Sequence, residues 1–251
     1  MSLHATALDN HLLAAFPAAE LARIEPCLEL VELEAGEVLH APGEWASGAW
    51  FPAGAVAVLA AMLDDGAAVE VVMVGNDGML GLDPVLGSGG PPWQARVEIR
   101  GAAFRLKSTL LAESVARDSR VRDLLLRYVH TLLVQTGQTA VCNQRHSVEQ
   151  QLCRWLLLAL DRLPGGRILV THERIAGNLG VRREGVTMAA RKLQRLGIVD
   201  YGRGCLVVLD RERLEEAACE CYGVIRAEEQ RLAHFDNASM RQRTDRFAKY
   251  P

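Results

Sequence analysis

The N-terminal part of the chain is a series of short apolar runs separated by turn residues. A periodic apolar stretch over residues 12–28 predicts a helix, and the texture changes after Val31. Breaks rich in Gly, Pro and Asp, such as Gly75-Asn76-Asp77-Gly78, then divide runs that are too short for long helices. The predicted strands are residues 37–40, 49–51, 55–63, 69–74, 95–99 and 103–106. Many short strands with turn signals between them predict an antiparallel β-roll, or jelly roll.

Two short helical patterns flank Gly180 further along the chain. The first places Ile175, Ala176 and Leu179 on one face, and Thr171 is a good N-cap for it. A glycine between two helices accepts the positive φ of a steep turn. Two β-favouring runs, residues 198–201 and 205–209, follow around Gly202-Arg203-Gly204 and predict a hairpin. The segment therefore predicts a helix-turn-helix with a two-stranded wing.

The polar face of the second helix carries the candidate chemistry. Arg183 and Glu184 lie at its N-terminus, where an Arg can pair with guanine O6 and N7 and a Glu can accept a hydrogen bond from cytosine N4. Arg182 and Arg203, with Arg174 and Lys192, suit phosphates, which fix position without reading sequence. The alternative is an ordinary solvated helical hairpin. The candidate DNA-contacting residues are Thr171, Arg182, Arg183, Glu184, Thr187, Met188, Arg191 and Arg203.

A long helix is predicted between the β-roll and the helix-turn-helix, over residues 117–145. Its seven stripe positions advance in steps of four and three, as in a coiled-coil seam: Val121, Leu125, Tyr128, Leu132, Gln135, Thr139 and Cys142. The same stripe also fits a helix packed on its own β-roll. Helix-turn-helix proteins that read two half-sites pair, so we favour a homodimer. The predicted seam contacts are Leu125, Tyr128, Leu132, Gln135 and Thr139.

Charge is divided unevenly along the chain. Residues 1–95 contain 1 basic and 13 acidic side chains, whereas the remainder contains 27 basic and 18 acidic ones. This asymmetry indicates a nucleic-acid-binding end joined to an acidic end with another task. The 251 residues, 49% of them hydrophobic, suit a globular chain of one large or two modest domains. No apolar run is long enough to span a membrane and no secretory signal is evident, so we expect a cytoplasmic protein without a membrane partner.

The six cysteines do not form a recognisable metal motif. They are scattered, and the spacing of Cys219 and Cys221 is tighter than that of a zinc ribbon. We therefore expect reduced structural cysteines, no metal and no cofactor. The sequence also shows no Ser-His-Asp set, HExxH motif or phosphate loop, so we do not expect an enzyme.

In its order of elements and in its motifs, the chain resembles the Crp/Fnr family of bacterial transcription regulators. The resemblance covers about residues 10–222 and is strongest at Thr171-His172-Glu173-Arg174-Ile175-Ala176 and Leu179-Gly180-Val181-Arg182-Arg183-Glu184-Gly185-Val186. It implies an α+β fold whose first three parts are a cyclic-nucleotide-binding-like β-roll (residues 1–116), a dimerisation helix (117–145) and a winged helix-turn-helix (146–225). The remaining residues, 226–251, are charged and irregular and are predicted to form a mobile tail, although residues 225–235 could form a helix. The resemblance also implies that Arg183 and Glu184 read bases.

The effector site departs from the family pattern. Cyclic-nucleotide binders of this family hold the ribose with a Glu in a Gly-Glu-Leu segment, where this chain has Gly78-Met79-Leu80. The region expected to supply an Arg and a hydroxyl for the phosphate reads Gly89-Gly90-Pro91-Pro92-Trp93. A buried anion without a cation would be costly. We therefore expect an effector other than cAMP, or none, with the pocket at Gly78, Met79, Leu80 and Trp93.

Several functional classes remain open at this point. The favoured one is a homodimer that binds a palindromic operator in double-stranded DNA and acts as activator or repressor. The resemblance admits RNA polymerase and an unidentified small-molecule effector as further partners. The alternative is a sensory or docking protein whose winged helix binds another protein.

Overall fold

The N-terminal segment packs two short helices on a β-roll. In the computed structural model, which describes residues 5–87, 89–163, 166–202 and 204–234, these helices are α1 (His11–Ala14) and α2 (Ala18–Ile24). They replace the single helix expected over residues 12–28. Pro17 lies between them with ψ at 133°, an extended value. A proline cannot continue the helix that precedes it, so the chain turns there.

The β-roll consists of two antiparallel sheets. One sheet has the strand order β1-β7-β3 and the other β2-β6-β4-β5. Buried residues of both sheets, among them Leu33, Val97 and Ala103, form one cluster between them. Each strand expected from the sequence is present, so the predicted β-roll is confirmed. The strands are β1 (Glu29–Leu33), β2 (Val38–His40), β3 (Gly48–Pro52), β4 (Val56–Met62), β5 (Ala68–Val74), β6 (Trp93–Ile99) and β7 (Gly101–Lys107).

The rest of the described chain is mainly helical. The predicted two-stranded wing gains a third strand, and its sheet has the order β8-β10-β9. None of the helices described is both long and apolar enough to cross a membrane. The remaining elements are α3 (Asp83–Leu86), α4 (Ser108–Arg117), α5 (Ser119–Arg145), α6 (Val148–Arg162), β8 (Arg167–Leu169), α7 (His172–Leu179), α8 (Arg183–Arg195), β9 (Val199–Gly202), β10 (Cys205–Val208), α9 (Arg211–Ala217) and α10 (Glu220–Ala233).

The stripe predicted as a dimer seam on α5 faces the interior of its own chain. The Tyr128 hydroxyl accepts from the Met79 amide at 3.0 Å and donates to the Met79 carbonyl at 2.8 Å. The Gln135 side chain donates to the Met73 carbonyl at 3.2 Å, and Thr139 accepts from Arg154. The assignment of the five seam residues was therefore wrong, because intramolecular packing occupies that face. They are Leu125, Tyr128, Leu132, Gln135 and Thr139; four are buried and Leu132 is half-buried.

Another face of α5 is apolar and exposed. Leu126, Val129, Leu133, Thr136 and Ala140 also advance in steps of three and four, and Leu133 is 65% exposed. A helix with two heptad-spaced stripes offers two possible seams, and the sequence alone does not rank them.

The segment predicted to be a mobile tail begins inside a helix. Helix α10 runs from Glu220 to Ala233 and packs along α5. Leu232 is buried in the cluster formed by α5 and the β-roll, and Glu229 forms an ion pair with Arg162. Residues 226–233 are therefore part of a packed helix, with Leu232 in the core, and residues 235–251 of the predicted tail lie outside the described residues.

Candidate nucleic-acid interface and effector cavity

Local sequence signals form the helix-turn-helix. The Thr171 hydroxyl accepts from the Arg174 amide at 3.3 Å and caps α7. Gly180 ends α7 in the left-handed region, with φ at 65°, where a side chain would be strained. Ile175, Val186 and Leu193 are fully buried and hold α7, α8 and α6 in one core. The predicted turn and the inward face of each helix are confirmed.

Most of the outer face of α8 is exposed in the part of the chain that the structure describes. Arg182, Arg183, Glu184 and Arg191 are exposed, and Met188 is 72% exposed. Arg183 makes one loose ion pair, with its Nε 3.6 Å from Glu173 Oε2, and both side chains remain mostly exposed. The guanidinium of Arg183 and the carboxylate of Glu184 therefore remain accessible to a binding partner.

His172, which the sequence analysis did not single out, links the wing to α8. Its ring stacks on Tyr201 at 4.0 Å, and its Nδ1 lies 3.1 Å from the Thr187 hydroxyl. Thr187 is accordingly half-buried rather than fully available. Burial, followed by the charges of Arg183 and Arg191, lowers the pKa of His172, which keeps the imidazole neutral at neutral pH. Only the tertiary structure brings Tyr201 to this ring.

Two of the four cations expected at phosphates have partners within the chain. Arg174 Nε donates to Glu98 at 2.9 Å, and Lys192 Nζ lies 2.7 Å from Glu149. Arg182 stays exposed, whereas Arg203 lies outside the described residues. Arg174 thus joins the helix-turn-helix to the β-roll instead of facing solvent on the α8 side.

A buried carboxylate organises this contact between α7 and the β-roll. Glu98 on β6 is fully buried and interacts with Arg174 and, at 3.5 Å, with Arg96. Arg96 in turn donates to the Asn178 side chain at 3.0 Å, and Arg174 donates to the Val97 carbonyl. Two cations and one fully desolvated anion therefore fix α7 on the sheet.

A second polar contact joins α6 to the same sheet. Trp155 Nε1 donates to Glu70 Oε2 at 2.8 Å, and both side chains are buried. Burial raises the pKa of Glu70 to about 7, although the Trp155 hydrogen bond and Arg154 act in the opposite direction. The acid form of Glu70 is therefore well populated at neutral pH, which reduces the cost of burying it.

A cavity of about 600 Å³ lies between the β-roll and α5. Among its described lining residues there is no Arg or Lys, and Asp83 and His40 are the titratable side chains. Asp83 already accepts from the Ala46 amide at 3.1 Å. Ser88 lies in the sequence between the lining residues Leu86 and Gly89 and is outside the described residues. Apolar lining residues include Leu59, Val71, Met79, Leu80, Leu82, Trp93, Leu132 and Leu133.

Three of the four predicted pocket residues line this cavity, and Gly78 does not. Met79, Leu80 and Trp93 are at its wall, but Gly78 lies against α5. A Cβ atom at Gly78 would be 2.3 Å from the Tyr128 hydroxyl. Gly78 therefore allows α5 to approach the segment that carries Met79, which is a packing role and not a ligand-contacting one.

Comparison with known proteins agrees with these observations. Residues 150–217 match the sequence model of the Crp-like helix-turn-helix domain. None of the curated proteins matches the sequence. Many solved structures resemble the fold, among them FixK2 from Bradyrhizobium japonicum (18% identity, 76% of this chain and 98% of that chain covered, TM-score 0.66).

Two further structures cover a similar share of the chain. A transcriptional regulator of the CRP family from Thermus thermophilus has 19% identity and a TM-score of 0.60, with 75% of this chain and 96% of that chain covered. The c-di-GMP responsive global regulator CLP from Xanthomonas campestris has 17% identity and a TM-score of 0.60, with 76% of this chain and 99% of that chain covered. Residues 150–217 of this chain are therefore similar to the Crp-like helix-turn-helix domain, and the chain as a whole has the same fold as these solved Crp/Fnr-type structures.

Proposed function

We propose that this protein is a transcription regulator that reads a palindromic operator as a homodimer. The observation that carries the proposal is the exposed outer face of α8, with Arg183 and Glu184 at its N-terminus, in a Crp-like helix-turn-helix domain. The N-terminal residues of a recognition helix meet base edges in the major groove. The Arg and Glu side chains there have the donors and acceptors that distinguish a G·C pair.

The dimer is proposed to form through the exposed stripe of α5. This stripe has the heptad spacing of a two-helix seam and consists of Leu126, Val129, Leu133, Thr136 and Ala140. Leu133 remains 65% exposed to solvent in the single chain. A second copy of the chain buries this stripe and places two α8 helices for two half-sites. A twofold-symmetric dimer requires a palindromic target.

The test of this function is an in-vitro selection of random duplexes with the full chain at near-physiological salt, without added ligand. We expect a palindrome whose half-sites lie about one helical turn apart. A single non-repeated site would contradict the dimer. Failure to enrich any sequence, with or without cell extract, would contradict DNA reading and favour the alternative, a winged helix that docks on a protein.

Replacing Arg183 by Ala is expected to remove about 1–3 kcal/mol of discrimination at one base pair of each half-site. The measurement is a binding competition among duplexes that differ at single positions. Arg182→Ala is the matched control, because this neighbouring exposed cation is assigned to a phosphate and should weaken all duplexes about equally. A uniform loss in Arg183→Ala, or a sequence-selective loss in Arg182→Ala, would overturn the assignment of roles.

Any effector that binds in the cavity is proposed to be mainly apolar. It would carry either no charge or a positive charge. The cavity wall offers apolar side chains, and its carboxylate, Asp83, would repel a phosphate. The cavity also reaches Leu133 on the exposed stripe of α5, so a bound molecule would contact the proposed dimer seam. This geometry favours control of the dimer arrangement by the ligand.

We accordingly expect no heat of binding when cAMP or cGMP is titrated into the full chain in a calorimeter, because the cavity lacks a described cation for the phosphate. Micromolar binding that is lost when Leu80 is replaced by a larger side chain, Phe, would contradict this expectation. Binding unaffected by Leu80→Phe would lie outside the cavity and leave the expectation for this site intact.

A further inference from the structure

Four side chains with metal-binding atoms meet where α5 ends and α10 begins. Cys142 and His146 are one turn apart on α5, and His146 is its C-terminal cap. Cys219 is the N-terminal cap of α10, and Cys221 lies in its first turn. The ligand atoms of all four lie within 4.8 Å of one another. The three cysteines are buried and His146 is half-buried, so the group is largely shielded from solvent.

Two of the six distances between ligand atoms match those around a single tetrahedral ion, and the other four are no longer than 4.8 Å. Cys142 Sγ lies 3.5 Å from Cys219 Sγ, and Cys221 Sγ lies 3.6 Å from His146 Nδ1. A tetrahedral Zn²⁺, with Zn–S of about 2.3 Å and Zn–N of about 2.0 Å, places neighbouring ligand atoms about 3.5–3.8 Å apart. The sulfurs are too far apart for a disulfide, whose S–S bond is about 2.05 Å. Sulfurs on different irons of a cluster lie farther apart than sulfurs on one ion, so the compact set favours a mononuclear centre.

The histidine is held by a neighbouring carboxylate. Its Nε2 lies 3.4 Å from Glu220 Oε2, which leaves Nδ1 directed at the Cys221 sulfur. Histidine ligands of metals characteristically donate their other ring N–H to a carboxylate or carbonyl, which fixes the ring and the tautomer. Glu220 lies between Cys219 and Cys221 in the sequence, and its side chain is 78% exposed. It can therefore orient the ring without occupying the centre.

The charge around the group also suits a metal thiolate centre. Three thiolates, one neutral imidazole and Zn²⁺ carry a net charge of about −1. Arg154 is 2% exposed and lies close enough to the Cys142 sulfur to interact with it electrostatically. Among the described residues Arg154 makes no salt bridge with a carboxylate, although its charge acts on the buried Glu70, and its Nε has no hydrogen-bond partner. Because Glu70 is only partly ionised at neutral pH, an anionic centre at Cys142 would supply further counter-charge to this buried cation.

We propose that Cys142, His146, Cys219 and Cys221 bind one Zn²⁺ as a structural site. The ion joins the start of α10 to the last turn of α5, beside the junction at Ser147 from which α6 enters the helix-turn-helix domain. It therefore fixes the angle at which that domain leaves the long helix. The sequence indicated reduced structural cysteines and no metal, because Cys142 and Cys219 are 77 positions apart and their proximity depends on the tertiary structure. The inference is independent of DNA reading.

The test is the metal content of the full chain purified under reducing conditions, and its titration with Zn²⁺ and Co²⁺ after chelation. We expect one zinc per chain, and Co²⁺ spectra with the visible ligand-field bands of tetrahedral thiolate coordination. Cys219→Ser and Cys142→Ser should lose stoichiometric binding, whereas the exposed Cys27→Ser serves as the matched control and should keep it. Glu220→Gln should weaken Zn²⁺ binding about 10–100-fold without changing the stoichiometry.

Three results would overturn the proposal. The first is wild-type chain that takes up neither ion. The second is stoichiometric Zn²⁺ that survives Cys219→Ser. The third is acid-labile sulfide in the purified chain, which would indicate an iron–sulfur cluster. If a ligand variant fails to fold, the metal content and the Co²⁺ spectrum of the wild-type chain still decide the outcome, since neither depends on removing a buried side chain.

Discussion

Replacing Arg162 by Met should lower the free energy of unfolding by about 3–5 kcal/mol, because the change removes a buried cation from two carboxylates. The Arg162 side chain is 1% exposed, and it pairs with Asp77 at 2.7 Å and with Glu229. These contacts join the end of α6 to the segment after β5 and to α10. Urea unfolding of the two proteins, followed by circular dichroism, measures the difference.

The loss should depend on pH in a definite direction. Burial raises the pKa of Glu229 to about 7, and the charge of Arg162 opposes that shift. A carboxyl with a raised pKa in the folded state stabilises the fold fully below its unfolded value of about 4.3, and this contribution is lost as the pH rises through about 7. Without Arg162 the folded pKa rises further. The deficit of Arg162→Met should therefore be larger at about pH 8 than at about pH 5.

Two comparisons make the Arg162 result specific. Arg231→Met removes an exposed arginine, 75% exposed, from Glu228 and should change stability by no more than about 0.5 kcal/mol. Adding Asp77→Asn and Glu229→Gln to Arg162→Met removes the unpaired charges and should recover part of the loss. An equal effect of Arg162→Met and Arg231→Met, or a triple variant less stable than Arg162→Met, would contradict the buried ion-pair account.

Replacing Glu98 by Gln should lower the free energy of unfolding by about 2–3 kcal/mol and loosen the contact between α7 and the β-roll. Glutamine keeps the shape and one acceptor but removes the charge that Arg174 and Arg96 share. The two arginines are 30% and 23% exposed, so they can turn partly to solvent, which makes the loss smaller than for Arg162. Amide hydrogen exchange should accelerate in α7 more than in β1.

Glu29→Gln is the matched control for Glu98→Gln. Glu29 also faces an arginine, Arg105, at 3.5 Å, but both side chains are substantially exposed. The change at Glu29 should leave the free energy of unfolding within about 0.5 kcal/mol of the unmodified chain. Equal effects at Glu29 and Glu98, or exchange in α7 that is unchanged in Glu98→Gln, would show that the buried carboxylate does not hold the domains together.

Local patterns in the sequence predicted most of the elements and the outer face of α8, but they missed β1, β8 and the break between α1 and α2. The β-roll strands follow from short apolar runs between turn residues, and the helix-turn-helix follows from the cap at Thr171, the turn at Gly180 and the spacing of Ile175 and Leu179. These signals are local, because each depends on residues that are only a few positions apart in the sequence. Arg183 and Glu184 could be placed on the exposed face for the same reason, since helix periodicity alone sets the side on which they lie.

Which partner each side chain meets was decided by the tertiary structure. Helix α5 carries two heptad-spaced stripes, and only its packing on the β-roll shows that Tyr128 and Gln135 point inward while Leu133 stays exposed. Arg174 was predicted to contact phosphate because of its charge, but in the structure it pairs with Glu98 of β6. Cys142 and Cys219 meet because α10 returns along α5. Periodicity assigns a residue to a face, but contacts between residues far apart in sequence depend on how the whole chain packs.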